Sequence, residues 1–240
     1  MNLIWMCVIT LAVLQASVFI TTIYLHRALT HRGLELHPAM AMIMHLHLRL
    51  FTGIVPREWV AVHRKHHHFS DTEDDPHSPV QRGLWTVLFG NIFLYRTTKN
   101  DPALLHKYTP DWRPNWIDRL PGKGYAVLGG LAIFMLLFGW AWGLAAWLAH
   151  VVLYILLNSM INSLGHMVGY RNFDNQATNL QWVAFLTGGE GLHNNHHEFP
   201  TSARFSLRGR EIDPAWPMIV LLERLGLAKV NSLPIAKAAA

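Results

Sequence analysis

Nine histidines fall into four short clusters, and the segments between them are apolar enough to lie in a membrane: His26 with His31; His63, His66 and His67; His166, four residues after Asn162; and His193, His196 and His197. Neutral imidazole is the commonest protein metal ligand and suits iron, zinc, copper and nickel. Nine rings exceed what one ion can take, and two ions of four or five ligands each fit the number. Such a site in a membrane protein points to oxygen chemistry on a lipid-like substrate. Residues three and four apart share a helix face, so each H-x-x-H-H triplet could aim three rings into one space, and Asn162 stands in the same relation to His166. His26 and His31 are five apart, about 140° around an α-helix. That pair is read as crossing a helix end, with one histidine for each metal. No packing rule generates two triplets of identical spacing, so ordinary core or interfacial roles do not account for them. His37, His45, His47, His68, His77, His106 and His150 stand outside the pattern and read as surface, supporting or substrate-side residues.

The elements that must position these rings follow from charge and hydropathy. The 240 residues fit one domain, 1–240, with 51% hydrophobic and only 15% charged residues, against about 25% charged in soluble domains. The net charge of +5 forms no basic stripe and comes with no nucleic-acid motif, so no nucleic-acid partner is expected. The single cysteine, Cys7, lies in an apolar run and excludes a disulfide framework or a thiolate metal site. No internal repeat is present, and the only biased segment is the Ala-rich tail at 236–240.

Residues 3–25 carry no charge and would make about 34 Å of helix, enough to cross a hydrocarbon core of about 30 Å. With no basic segment before it, this reads as a retained span rather than a cleaved signal. Residues 125–165 also lack Asp, Glu, Lys and Arg; at about 60 Å they are too long for one crossing. They should fold into a hairpin of spans 125–140 and 143–164, with Gly139 to Gly143 supplying the turn and interfacial tryptophans. A crossing at 38–56 would put the first two clusters on opposite sides, so that stretch reads as interfacial or re-entrant. Segments 84–95 and 215–227 are too short to cross. All twenty Lys and Arg follow residue 26 and none lies between 124 and 170, which places every cluster on one face, the cytoplasmic one by the positive-inside rule. The expected fold is an all-α integral membrane protein with about three transmembrane helices, interfacial or re-entrant helices, and a cytoplasmic helical cap holding the two-metal site.

Four sequence elements together resemble the membrane fatty-acyl desaturases, the stearoyl-CoA desaturase-like, Δ9-type group. His26 and His31 match its H-x-x-x-x-H box; His63, His66 and His67 match H-x-x-H-H; Glu190 to His197 matches G-E-G-x-H-N-x-H-H; Asn162 to His166 resembles its N-x-x-x-H element. The resemblance covers about residues 20–210. It implies two iron ions held by the nine histidines and by a water on Asn162, with zinc able to take their place in a purified sample. It further implies O2 as co-substrate, a cis double bond in an acyl-CoA or acyl-lipid chain, and two electrons from a separate donor such as a ferredoxin, cytochrome b5 or a reductase. No cytochrome, flavin or iron–sulfur motif is present in the chain itself. A bacterial inner membrane is expected rather than endoplasmic reticulum.

An unactivated C–H bond offers no acid–base handle, so a metal-bound oxidant must act while the protein positions the chain and excludes water. Acceptors that fix the ring tautomers are sought in Glu190, Asp71, Asp74 and Asp75, and Trp59 is a candidate for the acyl channel. Two features depart from the family pattern. Only one span precedes the first box, where members usually have two. Ala61 and Val62 stand where animal acyl-CoA members carry an Arg-Asp pair whose Arg helps hold the CoA head group. The rival readings are a related di-iron hydroxylase or ketolase acting on a lipid, alkane or carotenoid, and a metal transporter. Transport needs ligands near the midplane with access from both sides, whereas these clusters fall on one face.

Overall fold

The computed structural model describes residues 2–234; the Ala-rich tail at 236–240 lies outside them. Helix α1 (Leu3–Ile20) continues without a break into a π-helical stretch, Thr21–Thr30. The combined 28 residues form one of two helices among the described residues that are long and apolar enough to cross a membrane. The other is α8 (Trp140–Met167), also of 28 residues. At about 42 Å it exceeds a hydrocarbon core of about 30 Å by roughly two turns. Its last turns, which carry Asn162 and His166, can therefore stand beyond the apolar layer.

The hairpin forms, but unequally. Its first arm, α7 (Val127–Phe138), has 12 residues after a 3-10 turn at Lys123–Ala126. That is about 18 Å of helix, too short for a standard crossing, so the span expected at 125–140 is replaced by a short apolar helix. Its N-terminal half abuts the end of α2 (Pro38–Phe51), where a Cβ on Gly130 would overlap the Leu50 carbonyl. The turn itself is a single residue, Gly139, at φ +79°, a conformation open to glycine without a Cβ penalty. Gly143 already lies inside α8, and a Cβ there would overlap the backbone of Phe134 and Met135. It serves close packing of the two arms rather than the turn.

Helix α2 meets α3 (Pro56–Phe69) at 91°, as a broken or re-entrant pair. Each starts on a proline, the residue that needs no N–H partner at a first helical turn. After the short α4 (Pro79–Arg82), α5 (Leu84–Lys99) packs along α8 and α3 and leaves Trp85, Phe89 and Phe93 exposed along one face. Helix α6 (Pro102–Tyr108) lies on α3. The short α9 (Gln181–Leu186) and α10 (His193–Glu198) lead to α11 (Ala215–Arg224). The all-α expectation needs one amendment, a two-stranded antiparallel pair of β1 (Leu34–Leu36) and β2 (Ala228–Val230), with Leu34 opposite Val230. The cap core joins Ile23, Leu25, Leu34, Leu48 and Ile219. Beside it, fully buried Arg27 donates to Asp213 at 3.0 Å and lies 3.9 Å over the Phe205 ring, tying the π-helical stretch to the chain that follows α10.

Candidate metal centre

Four chain segments bring the nine rings into two sets. His26, His31, His63, His67 and His196 converge in one, and His66, His166, His193 and His197 in the other; within each set the ligand atoms lie within 4.8 Å of one another. The partition differs from the expectation in two places. Each H-x-x-H-H triplet is split, because positions i and i+4 stand about 40° apart and i+3 about 60° to their other side. His63 and His67 face the five-histidine set while His66 faces the other; on α10 the roles are exchanged, with His193 and His197 in the four-histidine set and His196 in its neighbour. The first box is not divided between metals either. In the π-helix, backbone bonds close at i+5, as in the His31 N–H to His26 carbonyl bond of 3.1 Å. Residues five apart then share a face, and both rings enter the same set.

Carboxylates on the far side of three rings fix their tautomers. His26 Nδ1 donates to Glu190 at 2.6 Å, His66 Nδ1 to Asp75 at 3.0 Å, and His166 Nδ1 to Asp71 at 2.7 Å. An ionised carboxylate only accepts, so each Nδ1 carries the proton and each Nε2 presents a lone pair. Those lone pairs face one another. The Nε2 atoms of His26 and His196, of His196 and His67, and of His166 and His193 are 3.0 Å apart, and those of His67 and His63 and of His193 and His197 are 3.1 Å apart. Two nitrogens bound at right angles, with bonds of about 2.0–2.1 Å, would be about 2.8–3.0 Å apart. The buried Nε2 atoms of His31 and His66 have no hydrogen-bond partner among the described residues. The donor set therefore fits two transition-metal ions. Burial, reinforced by the neighbouring imidazoles, holds His31, His193, His196 and His197 well below the ordinary imidazole range. They are neutral at pH 7, the form that binds metal.

Of the four proposed acceptors, Glu190, Asp71 and Asp75 are buried at the rings, while Asp74 is exposed and makes no such contact. The left-handed backbone at Asp71, φ +60°, and the Asp71 N–H to Asp75 bond of 2.8 Å fold the loop so that Asp71 and Asp75 face inward and Asp74 takes the outer edge. Burial works to raise the Asp75 carboxyl; the hydrogen bonds it accepts from the His66 ring and the His77 backbone N–H outweigh it and hold the group below the ordinary carboxylate range. Thr22, whose hydroxyl also donates to Glu190, carried no sequence signal, being one more polar residue in an apolar run. Asn194 and Asn195 stand inside the last motif, which by itself assigns them no role. Asn194 takes the Asn172 and Phe173 N–H groups at 2.7 and 2.9 Å, and Asn195 donates to Phe205 and Glu211 at 2.9 Å, so together they anchor α10. His45, His47 and His150 find partners elsewhere, on Asn115, Ser17 and the Phe51 carbonyl.

Beside the sets lies a largely apolar cavity of about 160 Å³ between α1, α3, α5 and α8. His26, His63, Asn162 and Trp59 line it near the rings, and Val151 and Tyr154 farther along α8. From Val151 to Asn162 is about 16 Å of helix. Trp59 stacks on His63, with centroids 4.8 Å apart and planes at 11°. Ala61 and Val62, in the Arg-Asp position, are buried against Leu104.

Residues 3–218 match the protein family described as Fatty acid desaturase. The chain is 33% identical over 211 residues to an sn-1 stearoyl-lipid 9-desaturase of Anabaena variabilis, covering 86% of this chain and 76% of the relative. It is 38% identical over 225 residues to an sn-2 palmitoyl-lipid 9-desaturase of Nostoc sp. (strain 36), covering 87% and 75%. An acyl-CoA C20 Delta5-desaturase of Anemone leveillei is 34% identical over 245 residues, covering 96% and 74%.

Proposed function

The chain belongs to the fatty acid desaturase family, and from that premise we propose that it places a cis double bond at the Δ9 position of an acyl chain carried on a membrane lipid. It is a membrane enzyme with a histidine metal centre. The observation that carries the finer reading is the convergence of nine imidazoles into two sets beside one apolar cavity. Two iron ions held there, one by His26, His31, His63, His67 and His196 and one by His66, His166, His193 and His197 with a water on Asn162, would supply the activation of O2 that removes two hydrogens from a methylene pair.

The chain's own residues do the rest. The cavity walls hold the acyl segment extended and exclude water. Trp59 fixes the His63 ring by stacking and borders the cavity where the methylenes pass. Glu190, Asp75 and Asp71 keep the protons of His26, His66 and His166 on Nδ1. A lipid carrier is supported by the names of the Anabaena and Nostoc relatives, and by the burial of Ala61 and Val62, which leaves that position no polar group to offer a CoA head group. The clustering of Lys and Arg on the side of the rings supports a cytoplasmic active site in a bacterial inner membrane. The electrons come from a separate donor protein, a ferredoxin, cytochrome b5 or reductase.

The test is the lipid profile of a desaturase-deficient host expressing the chain, resolved by glycerol position and by free thioester. A Δ9 monoene in intact lipids is the expected result. A hydroxylated chain would shift the assignment to the related hydroxylases, and product confined to acyl-CoA would overturn the carrier.

A further inference from the structure

His77 belongs to none of the four motifs, yet it is only 4% exposed and its ring centroid lies 4.7 Å from that of His66. Both of its ring nitrogens are buried with no hydrogen-bond partner among the described residues, and the ring lines the same cavity as Asn162. Its placement is built into the fold. Pro76 and Pro79 restrict the turn around it. Asp75 accepts the His77 backbone N–H at 3.0 Å and the His66 Nδ1–H at 3.0 Å, so one carboxylate fixes the two residues relative to each other. A neutral imidazole has one donor and one acceptor. Leaving a buried donor or acceptor unmade is costly, and a phenyl ring of similar size would avoid that cost. His66, whose ring lies beside that of His77, belongs to the set that has one imidazole fewer than its neighbour.

We propose that His77 is a positioning residue of the four-histidine site. Its ring shares with Asn162 the solvent molecule on that ion, and so tightens that ion but not the one in the five-histidine set. The proposal rests on the two-metal reading above. It is tested on full-length wild-type, His77→Phe and His77→Gln protein in detergent, loaded with Co(II). The readouts are metal content, the visible Co(II) spectrum and the time course of release to excess chelator. The wild type should hold two ions and release them in two phases. In His77→Phe one phase should run about 10–100-fold faster, the range for loss of a group supporting a metal ligand, with the other phase within about twofold. Part of the Co(II) spectrum should change with it. His77→Gln, which keeps a donor and an acceptor, should restore the slow release. If the Phe variant does not fold, His77→Ala carries the same expectation. Two ions with both phases unchanged, or both accelerated alike, would overturn the role of His77 alone. A wild-type chain that binds a single ion would remove the two-metal reading and this proposal with it.

Discussion

The direction in which a ring proton points decides whether an imidazole can bind a metal, and in this site three carboxylates make that decision. Because Asp75 serves His66 and Glu190 serves His26, the two carboxylates support different sets. Asp75→Ala is expected to weaken only the four-histidine site, and Glu190→Ala only the five-histidine site, each by about 10–100-fold. Titration with limiting Co(II) would show one site lost in each variant, and losses at both sites from either would contradict the partition. His66→Ala and His63→Ala should each abolish product while emptying different sites. Asp74→Ala and His106→Ala, both exposed, should leave product formation close to that of the wild type.

At the level of elements, two devices hold the histidine segments together. The π-helical stretch Thr21–Thr30 lets an i, i+5 pair face one ion. Deleting Ala28, which reduces that spacing to four, is expected to empty the five-histidine set while leaving helical circular dichroism near that of the wild type. The second device is the Arg27–Asp213 pair, with side chains 0% and 0% exposed. Breaking a buried pair from one side leaves a charge with no partner and costs about 3–5 kcal/mol. Asp213→Ala should therefore lower the melting temperature in detergent by far more than Arg32→Ala, which removes only the exposed partner of Asp111, since surface pairs contribute about 0–1 kcal/mol. Equal effects would show that Asp213 is not holding a buried charge.

For the molecule as a whole, the elements divide into an apolar pair of long helices and a polar cap that carries the rings. With the continuous helix Leu3–Thr30 delivering His26 and α8 delivering His166 to the same centre, the far ends of both helices, Leu3 and Trp140, are expected on the other side of the bilayer. Reporters that fluoresce only in the cytoplasm are therefore expected to be dark when fused at residue 2 and bright at residue 110. A bright fusion at residue 2 would mean that α1 does not cross, which the placement of the rings would not tolerate. Iron-replete protein should approach two irons per chain by metal analysis, and zinc in their place would leave the site assignment intact, because imidazole sites fill with the available divalent metal.

Residue type and spacing along the chain were enough to determine which nine rings could share a centre, that the stretch 139–143 turns a hairpin, that its second arm, expected at 143–164, is a long apolar helix, and that Glu190, Asp71 and Asp75 were among the candidate acceptors. All of these are local properties, fixed by backbone geometry and side-chain chemistry within a few turns. Tertiary structure alone decided which ring joins which set, since His26 meets His196 across 170 positions of chain and a helical wheel gives a face without saying what stands opposite it. It likewise decided that residues 21–30 wind as a π-helix rather than ending a helix, and that α7 stops short of a full span against α2. Asp74 and Asp75 are adjacent acids in one turn, and only the φ of Asp71 and the hydrogen bonds of the folded loop turn one inward and the other out. His77 could not be found from spacing because its relation to His66 runs through the side chain of Asp75, a contact made only once the loop has closed.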